Sequence, residues 1–325
     1  MPSPMLVICI TVRELGFCNV SNDSWIETEK RKVDDMKVLL AIDNCDSQVI
    51  NQAKSRPWPP GTLFCVMRVV DLRHWEGLPQ LIDDAKYTAE SVVKCASDKL
   101  TKSGHSAFAK TTVGYPKEAI TTYAKEWGAD LIMVGSHGHG AVTRLLLGST
   151  AQAVLRAAHC PVEVVRPVPE SRASARGIRI LLATDGSECS AKAVDFVAKQ
   201  VWPAHSEVKI LSVGELVPVA VPSLGTQFAT PVPNLVDELC KRAHLQAEGA
   251  VASARQTLKP TGLDIYDATP LNSDPRGTIL AEAKTCHADL IVLGSHGRHG
   301  LERFLMGSVA EAVAANATCS VAVVR

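Results

Sequence analysis

A glycine pattern of the kind that cradles phosphate occurs twice in this chain. In each copy a glycine is followed after two residues by a second glycine, and after nine more by a third glycine and a serine. The copies are Gly135-Ser136-His137-Gly138 with Gly148-Ser149, and Gly294-Ser295-His296-Gly297 with Gly307-Ser308. Glycines let the backbone approach a ligand closely, and free N–H groups at the start of a following helix suit phosphate. The pattern predicts a duplicated nucleotide-phosphate site.

The residues around each copy indicate how the glycines are positioned. An apolar run precedes each copy, and an Ala/Val-rich stretch with helical character follows it. The two runs are Leu131-Ile132-Met133-Val134 and Leu290-Ile291-Val292-Leu293. This order predicts a strand, a glycine loop and a helix.

The repeat extends well beyond the glycines, at a constant spacing from Ile120 and Ile279 to Arg166 and Arg325. A chain of 325 residues has room for two domains, each with its own core. A stretch rich in proline, serine and charge separates the halves, as expected of a linker. We therefore predict a tail at 1–35, a first domain at 36–167, a linker at 168–177 and a second domain at 178–325.

Each half is predicted to contain five strands alternating with four helices. Unbroken apolar strands between helices are typical of a parallel sheet covered on both faces, which is a doubly wound α/β fold. The first strand of each half ends in an aspartate, Asp43 or Asp185. Ligands of such sheets bind beyond the carboxyl ends of the strands, where strand order reverses. We expect each aspartate to meet its glycine loop at one crevice.

Composition excludes several functional classes. The chain has 34 basic and 34 acidic residues, so it has no charge excess that would favour nucleic acid. No apolar run reaches the roughly 18–20 residues that span a bilayer, and no signal peptide is expected. Ten cysteines occur without a Cys-x-x-Cys motif, which predicts reduced thiols and a cytoplasmic protein.

The chain resembles the universal stress protein family, whose nucleotide-binding members carry this glycine spacing followed by Ser or Thr. The resemblance covers about residues 36–166 and 178–325. It implies two tandem Rossmann-like domains, each with a five-stranded parallel sheet, that pair with each other through their last strands. It also implies that the ligand is ATP, with Mg²⁺ carried alongside, and that the protein acts in stress response. A homodimer is left open.

The resemblance also assigns site residues in each half. The aspartates would contact the nucleoside, and the backbone at Val69 and Val213 would contact adenine. The phosphate cradle would be formed by Gly135, Gly138, Gly148, Ser149 and Thr150 in the first half and by Gly294, Gly297, Gly307 and Ser308 in the second. Backbone N–H groups and hydroxyls suit phosphate oxygens, and a carboxylate suits ribose hydroxyls.

The first half departs from the family pattern in the turn after its first strand. The second half has Gly186 after its aspartate, close to the usual turn, whereas the first half has Asn44. Because asparagine tolerates left-handed geometry, we expect that turn to survive. The extra acidic residue Asp46 is unfavourable near a triphosphate unless a metal bridges them. A long proline-rich connection at 216–233 is either a lid or a packed surface loop.

Other chemistry is less well supported by the sequence. Histidines at the glycine loops lack an accompanying cluster of metal ligands, so no metal site is predicted. The four are His137, His139, His296 and His299. No Gly-Lys-Ser/Thr motif is present, so weak ATPase activity at most is expected. Two rival functions stay open: a slow ATPase or nucleotidyl-transfer enzyme using Asp46 or Glu188 as base, and a dimeric scaffold without nucleotide.

Some repeated residues are predicted to be structural or are left open. Trp58 and Trp202 both follow the first helix of their half and precede proline, which predicts a structural role. Arg144 and Arg303 could reach the phosphates or lie on the surface.

Overall fold

A computed structural model describes residues 36–74, 79–136, 147–167, 177–214, 235–268, 273–298 and 306–325. The first half consists of β1 (Lys37–Ala41), α1 (Gln48–Ser55), β2 (Leu63–Asp71), α2 (Pro79–Lys102), β3 (Ser106–Gly114), α3 (Pro116–Trp127), β4 (Leu131–Gly135), α4 (Ser149–Ala157) and β5 (Val162–Val165). The second half consists of β6 (Arg179–Ala183), α5 (Glu188–Lys199), β7 (Glu207–Leu211), α6 (Leu235–Leu258), β8 (Asp264–Ala268), α7 (Pro275–Thr285), β9 (Leu290–Gly294), α8 (Ser308–Asn316) and β10 (Ser320–Val324). This order confirms the predicted alternation.

The ten strands of the described residues form one sheet, in the order β3-β2-β1-β4-β5-β10-β9-β6-β7-β8. Neighbouring strands are parallel within each half. The halves meet where β5 and β10 pair antiparallel, with Glu163 opposite Ala322. The described residues belong to one compact unit. The α/β fold is therefore confirmed, and the last strands join the two halves.

Helices cover both faces of the sheet. Successive strand residues point to opposite faces, so each strand contributes to two cores. Leu40 packs into a core with residues of α1, α2, α5 and α6, whereas its neighbour Leu39 packs into a second core with residues of α3, α4, α7 and α8. Both leucines are fully buried. Each core runs continuously across the two halves.

A buried ion pair lies at the seam between the halves. The Arg56 guanidinium donates to the Glu163 carboxylate at 2.9 Å, and the side chains are 2% and 0% exposed. The Trp58 and Trp202 rings lie 4.6 and 4.7 Å from that guanidinium, one from each half. The indole N–H groups are bonded to backbone carbonyls at 2.8 Å. These tryptophans are structural, as predicted.

The final arginine of each half packs against the other half. Arg166 donates to the carbonyl of Ala314 at 2.7 Å, near the end of α8. Arg325 donates in the same way to the carbonyl of Leu155 near the end of α4. Cations favour the carbonyl end of a helix, so each half stabilises the last helix of its neighbour.

The cysteines correct one expectation. Cys45 and Cys95 form a disulfide with their Cα atoms 5.9 Å apart, so the prediction that every cysteine is reduced is wrong at these two positions. The pairing depends on α2 crossing the turn after β1, which residue spacing does not reveal. No helix among the described residues has the length and apolarity that a membrane span requires.

Candidate functional site

Sheet topology creates one crevice in each half. Strand order reverses between β1 and β4 in the first half and between β6 and β9 in the second. The connections leaving these strands diverge to opposite faces, which opens a gap at the carboxyl edge. Asp43 follows β1 and Gly135 ends β4, while Asp185 follows β6 and Gly294 ends β9. Both pairs therefore meet at a crevice, as predicted.

The first crevice is a cleft of about 1190 Å³. Every sequence-predicted residue of this half that the structure describes lines it: Asp43, Val69, Gly135, Gly148, Ser149 and Thr150. Gly138 lies outside the described residues. The cleft thus brings together residues spread over more than a hundred positions of the sequence.

The second crevice is a cleft of about 830 Å³. It is lined by all six residues predicted for this half: Asp185, Val213, Gly294, Gly297, Gly307 and Ser308. The second cleft falls in the usual size range of small-molecule sites, roughly 300–1,000 Å³, and the first is somewhat larger. The connection at 216–233 lies outside the described residues.

The third glycine of each motif closes its loop and begins a helix. Gly148 N–H donates to the Ser136 carbonyl, and Gly307 N–H donates to the Ser295 carbonyl, both at 2.8 Å. These glycines are the N-caps of α4 and α8, and neither helix start has a side-chain cap. The first N–H groups of a helix have no partner within the helix, so both helix starts can bind an anion.

Part of the requirement for glycine comes from packing inside the protein. A Cβ at Gly294 would lie 2.7 Å from the backbone N of Ser190, at the start of α5. A Cβ at Gly307 would lie 3.0 Å from the Ser295 carbonyl oxygen. Neither contact can relax by moving a flexible side chain. The motif therefore holds the strand end and the helix start close together, besides leaving room for a ligand.

Hydrogen bonds hold the turn after β6 in the second half. The Asp185 carboxylate accepts from the N–H of Ser187 at 2.9 Å and from the N–H of Arg298, in the glycine loop, at 3.0 Å. Gly186 takes a left-handed φ of 75°. Burial opposes ionisation, but hydrogen bonds from Ser187, Ser190 and Arg298 outweigh it and lower the pKa of the Asp185 carboxyl.

The turn after β1 in the first half is built differently. Asn44 does not adopt a positive φ, so the expectation of a left-handed turn there is wrong. The reason is length: the N-cap of α1 is Ser47, four residues after Asp43, whereas the N-cap of α5 is Ser187, two residues after Asp185. The longer turn has no need for a left-handed residue.

The extra acidic residue of the first half has a basic partner. Asp46 forms an ion pair with Lys99 of α2 and lines the first cleft. Glu188, the other candidate base, pairs with Lys192 at 3.0 Å on the exposed face of α5. It is not among the described residues that line the second cleft.

Arginines in the second cleft were not predicted from the sequence. Arg242, Arg276 and Arg298 line it together with Asp185 and Asp274. Arg276 donates to the Ser308 hydroxyl at 2.9 Å, in the first turn of α8. A sequence signal existed, because Arg276 follows a proline at the start of α7 and hence lies at the carboxyl edge of the sheet.

The first cleft is more acidic among its described lining residues. It has four carboxylates, Asp43, Asp46, Asp71 and Asp84, with Arg68 and Arg73. Arg73 donates to the Asp71 carboxylate at 2.9 Å. The two clefts therefore share a backbone and differ in charge.

The histidines show no metal site within the described residues, where no group of three His, Cys, Asp or Glu side chains could hold an ion. Burial and the charge of Arg325 lower the pKa of His296. Its Nδ1 lies 3.0 Å from the Ser295 hydroxyl. The histidines at 137, 139 and 299 and the arginines at 144 and 303 lie outside the described residues.

Comparison with known families agrees with this geometry. The sequence model of the universal stress protein family matches residues 36–166 and 178–325. The chain belongs to the universal stress protein family. The double match confirms two tandem copies, and membership places the chain among proteins of the stress response.

Individual relatives and structures are consistent with the assignment. A universal stress protein of Mycolicibacterium smegmatis is 30% identical over 255 residues, covering 75% of this chain and 77% of that protein. Universal stress protein YxiE of Bacillus subtilis is 31% identical over 147 residues, 45% of this chain and 98% of that protein. The crystal structure of a universal stress protein from Archaeoglobus fulgidus has a TM-score of 0.62 at 20% identity. It covers 89% of this chain and 98% of its own, and it supports the fold.

Proposed function

We propose that both clefts bind ATP and that nucleotide occupancy, with little or no hydrolysis, controls conformation or partner binding in a cytoplasmic stress response. One observation carries the proposal. In each half, the aspartate, the end of the second strand and the glycine-capped helix start line one cleft. These groups suit ribose, adenine and phosphate respectively.

The helix starts fit a phosphate group. At Gly307 the helix begins without a side-chain cap, and Ser308 places a hydroxyl beside the first N–H groups. Arg276 adds a positive charge next to that hydroxyl. Mg²⁺ would be held by phosphate oxygens and water, because no carboxylate cluster among the described residues forms a cage for it.

The arrangement favours binding over turnover. Asp46 and Glu188 form ion pairs with lysines, and no group of three His, Cys, Asp or Glu side chains among the described residues could hold a metal ion beside them. The alternative of a scaffold that binds no nucleotide would leave both clefts unused.

The first experiment identifies what the protein carries. Protein purified without added nucleotide is denatured, and released small molecules are quantified by mass spectrometry; titration with Mg-ATP then gives the number of sites. We expect ATP, with up to two molecules per chain. ADP together with saturable turnover would support the enzyme, and failure to bind at millimolar Mg-ATP would support the scaffold.

Glycine variants then assign the sites. Gly307→Ala places a Cβ 3.0 Å from the Ser295 carbonyl oxygen and should remove one site. Gly148 is the equivalent N-cap of α4, so we expect Gly148→Ala to remove the other site. Gly249→Ala is the matched control, because a Cβ there meets nothing within 4 Å. Full two-site stoichiometry in both cleft variants would contradict the proposed cradle.

A further inference from the structure

The disulfide between Cys45 and Cys95 is not used by the proposed function, yet it connects two walls of the first cleft. Cys45 lies in the turn 43–47, of which Asp43, Asn44, Asp46 and Ser47 line the cleft. Cys95 lies on α2, whose earlier turns line the opposite side through Asp84 and Thr88, among others. The bond therefore fixes the turn against the helix.

Noncovalent contacts between this turn and α2 are weaker. Lys99, one helical turn beyond Cys95, pairs with Asp46 and donates to the Cys45 carbonyl at 3.5 Å. The Asp46 side chain is 86% exposed, so the ion pair contributes little. The covalent bond is thus the strongest described link between the turn and the helix.

The second half has serine at both corresponding positions when they are counted from the aspartate of the turn and along the second helix, although Ser187 is also the N-cap of α5, a role that Ser47 has in the first half. Ser187 stands in the turn after β6, and Ser253 stands on α6 one residue before Ala254, as Cys95 stands before Ala96 on α2. There the turn is held by hydrogen bonds to Asp185, and the Ser187 hydroxyl donates to the His296 carbonyl at 3.4 Å. The chain therefore contains its own comparison site without a disulfide.

The bond is accessible to small thiols. Cys95 is exposed and Cys45 is half-buried. Three of the described free cysteines are less reactive than an exposed thiol. Burial raises the pKa of the Cys65, Cys160 and Cys319 thiols to about 12. Thiolate is the reactive form, so these three are poor partners for exchange.

We propose that Cys45 and Cys95 are a reversible redox pair that controls the freedom of the turn 43–47 and hence the nucleotide affinity of the first cleft alone. The affinity part rests on the proposed function. The oxidised form holds Asp43 in place and binds more tightly, because preorganising a binding loop reduces the entropy lost on binding.

The exchange needs only a small-molecule thiol and its disulfide. A thiolate attacks the Cys95 sulfur, the bond between the two cysteine sulfurs breaks, and the Cys45 sulfur leaves with the electron pair and takes up a proton. A second thiol resolves the mixed disulfide. In the net reaction, two small-molecule thiols are oxidised to one disulfide, and Cys45 and Cys95 are reduced to thiols.

The test first measures the chemistry without nucleotide. Full-length protein is treated with dithiothreitol under native conditions, alkylated with N-ethylmaleimide and mapped by mass spectrometry. We expect new labelling at Cys45 and Cys95, and we expect it to disappear when the reduced protein is treated with glutathione disulfide before alkylation. Amide hydrogen exchange at 43–47 should speed up on reduction, while exchange at 185–187 stays unchanged. Resistance to dithiothreitol, or unchanged exchange at 43–47, would overturn the proposal.

The second part measures affinity. Mg-ATP is titrated into oxidised and reduced Gly307→Ala protein, in which only the first cleft is expected to bind nucleotide. We expect about a tenfold loss of affinity on reduction, equivalent to about 1.4 kcal/mol. In a Gly148→Ala background, the second cleft should show no change. Equal affinity of the first cleft in both states would overturn its redox control.

Cysteine variants complete the design. Cys45→Ser with Cys95→Ser replaces each sulfur by a hydroxyl of similar size, so the protein should fold and behave as reduced under all conditions. Cys286→Ser, at the far end of α7, should keep the full redox response. If neither the wild type nor any variant binds nucleotide in either state, the proposed function fails, and the hydrogen exchange result still decides whether the pair is a switch.

Discussion

The two clefts share strand order, helix placement and glycine closure, and they differ in how the turn after the first strand is held. In the second half a short turn is fixed by the Asp185 carboxylate, which accepts hydrogen bonds from Ser187 in the turn and from Arg298 in the glycine loop. In the first half a longer turn is tied to α2 by a disulfide and by Lys99. The comparison shows that one fold can position an equivalent carboxylate by noncovalent bonds in one half and by a covalent bond in the other.

The largest expected effect comes from making the halves alike at the seam. Glu163→Ala copies Ala322 and leaves the Arg56 guanidinium buried without its carboxylate. We expect a loss of about 3–5 kcal/mol in the free energy of unfolding, measured by urea denaturation.

Two controls interpret that result. Adding Arg56→Met should recover part of the loss, because no unpaired charge is then buried. Glu207→Ala removes the exposed pair with Arg179, where the side chains are 41% and 31% exposed, and should cost less than about 1 kcal/mol. Equal losses in the two single variants would show that burial does not matter at the seam.

The next largest effect is expected from Gly294→Ala, which tests the packing role of the glycine motif. Gly294→Ala forces a Cβ to within 2.7 Å of the Ser190 backbone and should destabilise the protein by about 1–3 kcal/mol, measured by thermal or urea unfolding. Gly249→Ala, in the exposed middle of α6, should instead stabilise by up to about 1 kcal/mol. A neutral Gly294→Ala would mean that the glycine serves only a ligand.

A third test uses pH to sharpen the contrast between the turns. The pKa of Asp185 is lowered in the folded state, so its ionised form stabilises the protein above the ordinary value of about 3.9. That stability is lost as pH falls through the lowered pKa. Wild type should exceed Asp185→Asn in stability at pH 7, and the urea midpoints should converge as the pH is lowered below the ordinary value of about 3.9.

A variant of a residue that lowers the pKa of Asp185 tests whether ionisation of this carboxyl causes the pH dependence. Ser190→Ala removes a hydroxyl that lowers the pKa of the Asp185 carboxyl, and it should narrow the difference in stability between neutral and acid pH. A gap between wild type and Asp185→Asn that stays constant with pH would contradict ionisation as the source.

The smallest effect is expected at Lys99. Lys99→Met removes the exposed pair with Asp46 and should change the free energy of unfolding by less than about 1 kcal/mol while the disulfide is intact. Wild type and variant are compared by urea unfolding without reductant. A larger loss would show that the ion pair, and not the disulfide, holds the first turn.

Much of this arrangement could be predicted from the sequence because it is carried by local patterns. Apolar runs, helical spacing and the repeated glycines indicated the fold. The rule that ligands lie at carboxyl strand ends placed Asp43 and Gly148 on one cleft, and Asp185 and Gly307 on the other. Local patterns suffice here because each such residue directly follows its strand or begins its helix.

Features that depend on distant partners could not be predicted. Cys45 and Cys95 are 50 residues apart, and only the path of α2 over the turn brings them together. Glu163 was visible as a charge inside an apolar strand, but Arg56, its partner, lies 107 residues earlier. The expectation at Asn44 was wrong because the position of the N-cap, and hence the length of the turn, is decided by packing of α1.

The ion pair at the seam also bears on how a duplicated protein keeps its halves together. Glu163 and Ala322 face each other at equivalent positions of the two last strands. If two copies of the chain associated so that a first half paired with a first half in the same register, two Glu163 carboxylates would lie face to face in an apolar seam. Like charges cannot both stay ionised there, so this pairing is disfavoured. One glutamate thus favours the pairing of a first half with a second half over the pairing of two first halves.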